Sequence, residues 1–397
     1  MVDIATLGTF AVAAVASLFM AWAIGAGSSG STPFAPAVGA NAISVMRAGF
    51  LVGLLGFGGA VLQGANVSEA VGTELIGGVM LSSIAATLAL LIAAALVATG
   101  IFTGYPIATA FTVTGAVIGV GLALGGDPAW PKYTEMATLW LLTPLVGGGI
   151  AYAVARLLRA AWVSETYFIV LLAGLVGGIV ANIKFALLGP PGGGGASIAQ
   201  VSGEWLPGPD IAGLAAATLV IAAVWAGLIA FDLGNGLERG ERHFLLVLGG
   251  LVAFSAGGSQ VGLAIGPLVP LSSEFELPLF AMLVGGGFGL LLGSWTGAPR
   301  MIKAISQDYS SLGPRRSIAA LIPSFIIAQA AVFYGIPVSF NEIIVSAIIG
   351  SGYAAADAGG GVSARKMGFT VLAWIGSLAG SIIVAYVGYA AIDAIAL

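Results

Sequence analysis

The sequence of 397 residues contains no cysteine, a single histidine and few charged residues. Without cysteine it can form neither disulfide bonds nor thiolate metal sites, and His243 alone cannot build a histidine-rich metal centre. Nor does the sequence offer a nucleophile–base pair, so we expect neither an enzyme nor a bound cofactor. The formal net charge of −4 excludes the basic surface that nucleic-acid binding requires.

Apolar residues dominate the composition of the sequence. They make up 59% of the chain, only 8% is charged, and the mean hydropathy is +1.07. An ordinary soluble domain has about 25% charged residues, so the bilayer must be the solvent. Apolar runs of about 20 residues without period-two alternation indicate helices rather than a barrel. They lie near 5–25, 48–64, 76–101, 106–125, 136–156, 167–187, 211–231, 244–271, 278–297, 317–334, 338–356 and 367–390. The sequence therefore predicts an all-α, multi-pass protein of the cell membrane with about a dozen transmembrane helices.

Charge placement orients these segments. With twelve spans, the basic clusters all fall on one side, which the positive-inside rule makes cytoplasmic. The clusters lie at Arg47, Arg156 and Arg159, Arg239 and Arg242, Arg300 through Arg316, and Arg365 and Lys366. Tryptophans lie near predicted span ends, which is typical of an aromatic belt at the membrane interfaces. These include Trp130, Trp140, Trp205 and Trp295.

Two unlike motifs recur in the same order in both halves, with nearly the same gap. Gly25-Ala-Gly-Ser-Ser-Gly-Ser31 precedes Gly104-Tyr-Pro-Ile107, and Gly257-Gly-Ser-Gln-Val-Gly262 precedes Gly335-Ile-Pro-Val338. The predicted topology inverts one half relative to the other, as in many secondary transporters. We expect a first repeat at 1–159, connecting helices and loops at 160–235, and a second repeat at 236–397. The glycine-rich stretch 190–195 in the connection lacks the Lys-Ser/Thr ending of a phosphate loop, which favours a simple connector.

The first motif combines glycines with hydroxyl side chains where helix 1 must break before Pro33 and Pro36. A break inside the membrane exposes backbone N–H and C=O groups, and a helix N-terminus pointing into it attracts an anion. The candidate anion-binding residues here are Ser28, Ser29, Ser31 and Thr32, with Ser259 and Gln260 in the second copy. A hydroxyl-lined helix contact is the alternative. Whether 25–46 and 257–277 are re-entrant is left open.

The second motif is a Gly-X-Pro turn at the start of a helix. Proline is pre-organised for the first helical turn, and the N–H groups that follow it are free to point at a ligand. Hydroxyl and amide side chains can donate to an oxyanion without adding a fixed positive charge. The candidate anion-binding residues are Thr109 and Thr112 in the first half, and Ser339 and Asn341 in the second.

Glu342 lies inside an otherwise apolar segment. A carboxylate within the membrane is costly and marks a functional site by default, so we predict that Glu342 carries a coupling proton. Two alternatives remain open: a helix-end carboxylate that reaches water, since Gly335 is close in sequence, and an ion-paired structural residue.

These motifs resemble those of the inorganic phosphate transporter (PiT) family, whose halves each carry Gly-Ala-Asn-Asp-Val-Ala-Asn followed by Gly-Leu-Pro-Val-Ser-Thr-Thr-His. The best local matches are Ala264-Ile-Gly-Pro-Leu268 and Gly335-Ile-Pro-Val-Ser339. In the family the Asp residues help bind sodium, and Asn, Ser and Thr residues help hold phosphate. This chain has Gly27 and Ser28, or Ser259 and Gln260, in place of Asn-Asp, and Glu342 in place of the histidine. The resemblance implies a divergent phosphate transporter in which both sodium-binding Asp residues are missing.

The leading hypothesis is thus an ion-coupled permease that moves phosphate by alternating access, with H⁺ favoured over Na⁺ as the coupling ion. Its expected partners are phosphate or a similar oxyanion and the lipid bilayer; no nucleic acid is expected, and a homodimer fits the architecture. A permease for sulfate or another small oxyanion is the first alternative. An anion channel is the second, although an inverted repeat within one chain favours a transporter.

Overall fold

The computed structural model describes residues 4–189, 195–206, 209–354 and 362–396, so most of the predicted connector at 190–195 lies outside the described residues. Helices form 81% of this part of the chain, which confirms the all-α prediction. They are α1 Ile4–Ile24, α2 Ala35–Gly39, α3 Val45–Gln63, α4 Ala65–Thr73, α5 Ser83–Thr103, α6 Thr109–Ala123, α7 Trp130–Leu157, α8 Glu165–Asn182, α9 Ile198–Gly203, α10 Asp210–Gly234, α11 Leu237–Ile265, α12 Leu279–Thr296, α13 Ala298–Asp308, α14 Pro314–Tyr334, α15 Phe340–Tyr353 and α16 Ala364–Ala396.

Two antiparallel ladders of two residues per strand fasten connections between helices. Strand β1 (Ile76–Gly77) pairs with β2 (Asp127–Pro128), and β3 (Lys184–Phe185) pairs with β4 (Ala196–Ser197). The first ladder occupies the start of the segment predicted as helix from residue 76. The helix there begins only at Ser83, after the side chain of Ser82 accepts a hydrogen bond from the backbone N–H of Ala85.

Within the described residues, ten helices are long and apolar enough to cross a membrane, which confirms a multi-pass membrane protein. The other two predicted segments are helices as well, but α6 has 15 residues and α15 has 14. A perpendicular span needs about 20 residues. Both helices therefore reach only part of the way across, and we call them the half-helices.

Most of the basic residues gather at one end of the bundle, which we call the Arg-rich end. Their contacts there join Arg300 to the carbonyl of Phe102, Arg242 to the carbonyl of Ala42, Arg315 to Glu165, and Lys366 to Asp308. Because α8 and α14 start at this end and rise about 1.5 Å per residue, their far ends lie about 30 Å away. There the ammonium of Lys184 lies 5.1 Å from the ring centroid of Phe333, and we call this the Lys184 end.

The helices pack in matched pairs. Helix α1 packs against α5 and α12, and α11 packs against α14 and α3. Each half-helix packs against the long last helix of the other half of the chain: α6 against α16, and α15 against α7. The half-helices are thereby enclosed by helices that are distant in sequence, and their N-terminal turns are buried.

Helices α3 and α11 approach each other more closely than side chains would allow. A Cβ added to Gly257 would lie 1.8 Å from the carbonyl oxygen of Gly56, and one added to Gly59 would lie 1.7 Å from that of Phe254. Such distances are overlaps, so only glycine fits at these two positions. Small residues at helix contacts are the usual means of close packing in lipid.

The predicted break after helix 1 is confirmed: α1 ends in a π-helical turn, Gly25–Ser29, and no α-helix follows until α2. An equivalent break in the second motif does not occur. Helix α11 runs unbroken through Ser259 and Gln260 to Ile265, and the chain tightens to 3₁₀ geometry only at Gly266–Leu271. The difference follows from proline placement, because Pro33 comes two residues after the first motif ends at Ser31, whereas Pro267 comes five residues after the second motif ends at Gly262.

Candidate functional site

Both half-helices begin after Gly-X-Pro turns, as the sequence predicts. Helices α5 and α14 end at Gly104, with φ of 75°, and Gly335, with φ of 64°. This left-handed conformation strains residues with a Cβ, which explains the glycines. The following residues lead back into the bundle, and α6 and α15 start from inside it. As at any helix start, the first N–H groups of each half-helix have no partner within their own helix, and here they lie inside the bundle.

Two tryptophans hold these turns in place. The indole Nε1 of Trp374 in α16 donates to the carbonyl of Pro106 at 2.8 Å, and that of Trp140 in α7 donates to the carbonyl of Pro337 at 2.9 Å. Each turn is thus fixed by the last helix of the opposite half. The sequence-based assignment of Trp140 to an aromatic belt is wrong, because its side chain is buried and serves the bundle interior.

A hydrogen-bonded network centred on Gln260 joins four segments of the chain. Its Oε1 accepts from the hydroxyl of Thr109 at 2.8 Å and from that of Ser28 at 3.2 Å. Its Nε2 donates to the carbonyl of Val338 at 2.6 Å. Two hydroxyl donors on one side and a carbonyl acceptor on the other fix the orientation of the amide. The network brings three predicted site residues together from the π-helical turn, α6 and α11.

Asn341, in the first turn of α15, links the two halves a second time. Its Nδ2 donates to the carbonyl of Ile107 at 2.6 Å and to that of Gly27 at 3.0 Å. These bonds place the N-terminus of α15 beside the residues that lead into α6. The two half-helices therefore meet with their N-terminal ends, each equivalent to about half a positive charge, close together.

Buried polar atoms without a hydrogen-bond partner cluster at this meeting point. In the described part of the chain they are Ser259 Oγ, Ser339 Oγ, Asn341 Oδ1, Glu342 Oε2 and Thr114 Oγ1. Leaving such an atom unpaired costs about 1–3 kcal/mol. Four of the five belong to residues in or next to the network, and all four are predicted site residues. The unpaired hydroxyl donors of Ser259 and Ser339, beside two helix N-termini, are what a bound oxyanion would satisfy.

Four other predicted anion ligands are buried, but they have no unpaired buried polar atom at the meeting point of the half-helices. Ser31 and Thr32 both donate to the backbone carbonyl of Ser28 at 3.1 Å, and Thr112 donates to the carbonyl four residues earlier at 2.9 Å. Ser29 is also buried. The hydroxyls of Ser31, Thr32 and Thr112 brace their own segments. The assignment of all four residues as anion ligands stays a prediction.

Glu342 follows Asn341 in the first turn of α15. Its side chain is only 2% exposed, so it does not reach water at a helix end, and no described basic residue pairs with it. Both sequence-based alternatives are therefore wrong. The carboxyl lines an apolar cavity of about 660 Å³ between α7, α15 and α16, together with Trp140 and Trp374. It thus lies between the meeting point of the half-helices and this cavity.

A larger cavity of about 850 Å³ opens at the Lys184 end, between α3, α8, α10 and α14. Its polar lining residues are Gln63, Asn66, Asn182, Lys184, Thr218 and Gln329. In the described structure Lys184 is the single charged residue among those that line it. A cation at its wall would attract anions into the cavity.

Polar side chains continue from this cavity toward the network. Gln63 Nε2 donates to the carbonyl of Lys184 at 3.4 Å, and Gln329 Nε2 donates to Gln63 Oε1 at 3.4 Å and to Ser255 Oγ at 2.6 Å. Ser255 is one helical turn before Ser259 on α11, so the two lie on the same face. Neither Gln63 nor Gln329 is recognisable as a site residue from the sequence, since a single glutamine in an apolar helix is no motif.

The Arg-rich end is closed over the site. The ammonium of Lys366 in α16 donates to the carbonyl of Gly104 at 3.3 Å and pairs with Asp308 of α13 at 3.1 Å. Arg300 donates to the carbonyl of Phe102 at 2.7 Å. These contacts hold the turn before α6 against α13 and α16.

No group of three or more His, Asp or Glu side chains comes together among the described residues in a way that could hold a metal ion. Around the Gln260 network the chain offers hydroxyls, amides, helix N-termini and a single carboxyl. The donor set therefore fits an oxyanion better than a multivalent cation.

Comparison with known proteins agrees with this geometry. The model of the phosphate transporter family matches residues 24–385. A protein of Thermococcus kodakarensis named as a phosphate permease is 26% identical over 362 residues, covering 84% of this chain and 86% of its own. The chloroplastic inorganic phosphate transporter 2-1 of Arabidopsis thaliana is 25% identical over 401 residues, covering 85% of this chain and 64% of its own.

One solved structure, of a sodium-dependent phosphate transporter, has the same fold. It superposes with a TM-score of 0.78 and 21% sequence identity, over 98% of this chain and all of the other. The family match over almost the whole chain, together with the shared fold, leads to one conclusion: this protein belongs to the phosphate transporter family.

Proposed function

We propose that this chain is a proton-coupled secondary transporter that moves inorganic phosphate across the cell membrane by alternating access of two inverted repeats. One observation carries the proposal: the N-termini of both half-helices meet beside the unpartnered polar atoms of Ser259, Ser339 and Asn341. Neutral donors can bind and release an anion reversibly, whereas a fixed positive charge would hold it. Membership of the phosphate transporter family supports phosphate as the substrate.

The polar atoms at the site favour phosphate over sulfate. Inorganic phosphate keeps at least one hydroxyl group near neutral pH and can therefore donate a hydrogen bond, whereas sulfate has no proton to donate. The two bonds from Nδ2 to carbonyls fix the amide orientation of Asn341, so its unpartnered atom is Oδ1, an oxygen that can only accept. A sulfate ion would face this acceptor without a donor, which costs free energy. This is the mechanism by which polar sites discriminate strongly between similar ligands.

The matched packing of the two halves supports inverted repeats at 1–159 and 236–397, with α8, α9 and α10 in the connection. Helices α1, α5, α6 and α7 of the first half correspond to α11, α14, α15 and α16 of the second, and each packing pair recurs. The ring of Phe10 in α1 stacks on Phe275, beyond the far end of α11. Helix α1 therefore starts at the Lys184 end, whereas α11 starts at the Arg-rich end, so the halves run in opposite directions.

The unequal ends of the bundle support alternating access. The 850 Å³ cavity approaches the site from the Lys184 end, and Lys366, Asp308 and Arg300 close the Arg-rich end. In the opposite state of an inverted-repeat transporter, the turn at Gly335 would close and the turn at Gly104 would open. By the positive-inside rule, the form described here accepts phosphate from outside.

For coupling we propose H⁺, carried by Glu342. This carboxyl is buried, unpaired and adjacent in sequence to Asn341, so a proton there and an anion at the network influence each other. Sodium is the alternative, because the solved relative is sodium-dependent by name. Against it stands the chain's own sequence, which has Ser28 and Gln260 where the family carries aspartate.

Transport into proteoliposomes tests the proposal. Purified protein is reconstituted, and uptake of radiolabelled phosphate or sulfate is followed under an inward proton gradient, an inward sodium gradient or neither. We expect saturable phosphate uptake that the proton gradient stimulates, and weak competition by sulfate. Absence of flux for both anions under both gradients would overturn the proposal, and flux that rises with voltage without saturating would identify a channel.

A further inference from the structure

We propose that a cavity at the Arg-rich end binds the headgroup of an anionic phospholipid, an interaction that does not depend on the transported substrate. The cavity has a volume of about 720 Å³ and lies between the start of α3 and the first turns of α11. Its polar lining residues are Asn41, Ser44, Arg47 and Arg242. Basic pockets between transmembrane helices on the cytoplasmic side are the usual sites for anionic headgroups.

The charges in this cavity are not neutralised within the described chain. Arg47 has no ion pair there, and Arg242 uses its Nε to donate to the carbonyl of Ala42 at 2.9 Å, which leaves its terminal N–H groups for a ligand. The lining contains no acidic residue. Arg315 at the same end differs in that respect, since it pairs with Glu165. Two guanidinium groups facing one cavity favour a phosphate group, which accepts several N–H bonds at once.

The N-terminus of α3 adds to the attraction. Helix α3 has 19 residues and follows Ser44, whose side chain makes no capping hydrogen bond. The first N–H groups of the helix therefore remain available beside the two arginines, at the positive end of the helix dipole. Asn41 lies in the left-handed region with φ of 57°, at the tight turn that forms the rim of the cavity.

An apolar wall continues from the cavity along α3 and identifies the ligand as a lipid rather than free phosphate. Met46 is 68% exposed, Phe50 52% and Leu54 44%, and these positions repeat at helical spacing on one face. Trp295 of α12 stacks on Phe50 with ring centroids 5.4 Å apart, and its Nε1 donates to the carbonyl of Phe50 at 3.2 Å. A soluble ion gains nothing from this wall, whereas an acyl chain covers it.

The site would bridge helices from the two halves. Arg47 belongs to α3 and Arg242 to α11, the pair whose backbones touch at Gly257 and Gly59. A headgroup bound by both arginines holds this contact together at the Arg-rich end. We therefore expect anionic lipid to stabilise the folded protein, while neutral lipid does not.

Thermal unfolding of the purified full chain in detergent tests the proposal, with added phosphatidylglycerol or phosphatidylcholine as probes. Phosphatidylglycerol should raise the midpoint of the wild-type protein, and Arg47→Gln should weaken its apparent affinity about fivefold, as removal of one basic residue near a lipid surface does. Arg47 makes no ion pair that its loss would break, so the variant without lipid should unfold like the wild type. Arg156→Gln, an exposed arginine at the same end outside the cavity, is the matched control.

Two further measurements distinguish a phospholipid headgroup from free inorganic phosphate as the ligand of this cavity. Inorganic phosphate should stabilise wild type and Arg47→Gln equally, because it binds at the central site. If phosphatidylglycerol stabilises Arg47→Gln and the double variant Arg47→Gln/Arg242→Gln as it does the wild type, the proposal is wrong. If inorganic phosphate alone displaces phosphatidylglycerol and depends on Arg47, the cavity binds free phosphate and the lipid assignment is overturned.

Discussion

Removing the unpartnered hydroxyls of Ser259 and Ser339 should affect the empty and the phosphate-bound protein in opposite ways. Each hydroxyl oxygen is buried without a partner, a condition that costs about 1–3 kcal/mol. Alanine removes the polar atom and hence this cost, so each variant should be as stable as the empty wild-type protein or more stable. In the complex each hydroxyl would donate to a charged oxygen, a bond of about 1.5–3 kcal/mol. Its loss should weaken phosphate binding about 10- to 150-fold per hydroxyl.

Thermal unfolding and equilibrium binding of phosphate measure both effects on the same samples. Ser324→Ala is the matched control, because that hydroxyl is buried on α14 but donates to a carbonyl of its own helix. This variant should keep the wild-type dissociation constant. The reasoning would be refuted if Ser259→Ala and Ser339→Ala lost stability when empty but bound phosphate like the wild type. Their hydroxyls would then serve the fold and not the ligand.

Four further changes test other parts of the structure. Glu342→Gln should abolish the stimulation of uptake by a proton gradient while phosphate exchange persists; unchanged stimulation would remove Glu342 from the coupling step. Trp374→Phe leaves a buried proline carbonyl unpaired and should cost about 1–3 kcal/mol of stability and slow transport, measured as maximal rate. Because the chain has no cysteine, Gln63→Cys should be labelled by an impermeant thiol reagent from the Lys184 end alone, and phosphate should slow the labelling. Gly257→Ala should abolish folded protein, measured as monodisperse yield, because its Cβ meets a backbone oxygen at 1.8 Å, whereas Gly285→Ala meets nothing within 4 Å and should be tolerated.

The helices and the Gly-X-Pro turns were predictable because their signals are local. A run of apolar residues has to span the membrane, and the glycines at 104 and 335 end one helix before proline opens the next. The residues of the Gln260 network could also be found, since each copy of the motif concentrates polar groups in an apolar segment. Repetition of the motifs was the deciding signal, and no single position carried it.

The remaining parts depend on contacts between distant segments. The position of Trp140 near a predicted span end predicts a place in an aromatic belt, yet its Nε1 bonds to a carbonyl nearly two hundred residues later in the chain. Trp374 makes the equivalent bond in the other half. Each follows the Gly-X-Pro turn of its own half at a similar distance, and that recurrence is the signal that could have identified both. The continuous helix at Ser259 likewise depends on where the next proline lies, and not on the motif itself.

The charge balance at the meeting of the half-helices leads to a last prediction. Each helix N-terminus is equivalent to about half a positive charge, so the two together offset about one negative charge. The single negative charge of monobasic phosphate is therefore balanced by the two helix N-termini. Dibasic phosphate or sulfate would leave about one negative charge uncompensated in the protein interior, which costs several kcal/mol. An ionised Glu342 would add a further negative charge beside the bound anion. Protonation of Glu342 removes that charge, so a proton at Glu342 and the anion at the network should favour each other's binding.

At fixed total phosphate and without a gradient, uptake should therefore fall as pH rises through the second ionisation of phosphate. Titration of the substrate causes this fall, because deprotonation converts monobasic phosphate, whose charge the helix N-termini balance, into dibasic phosphate, whose charge they do not. It should persist in Glu342→Gln, whereas the response to a proton gradient should not. Initial rates at several pH values, with equal pH on both sides of the membrane, separate the two. Uptake that rose with pH would show that the site binds the dibasic ion, and further positive charge would then have to come from a bound cation such as Na⁺.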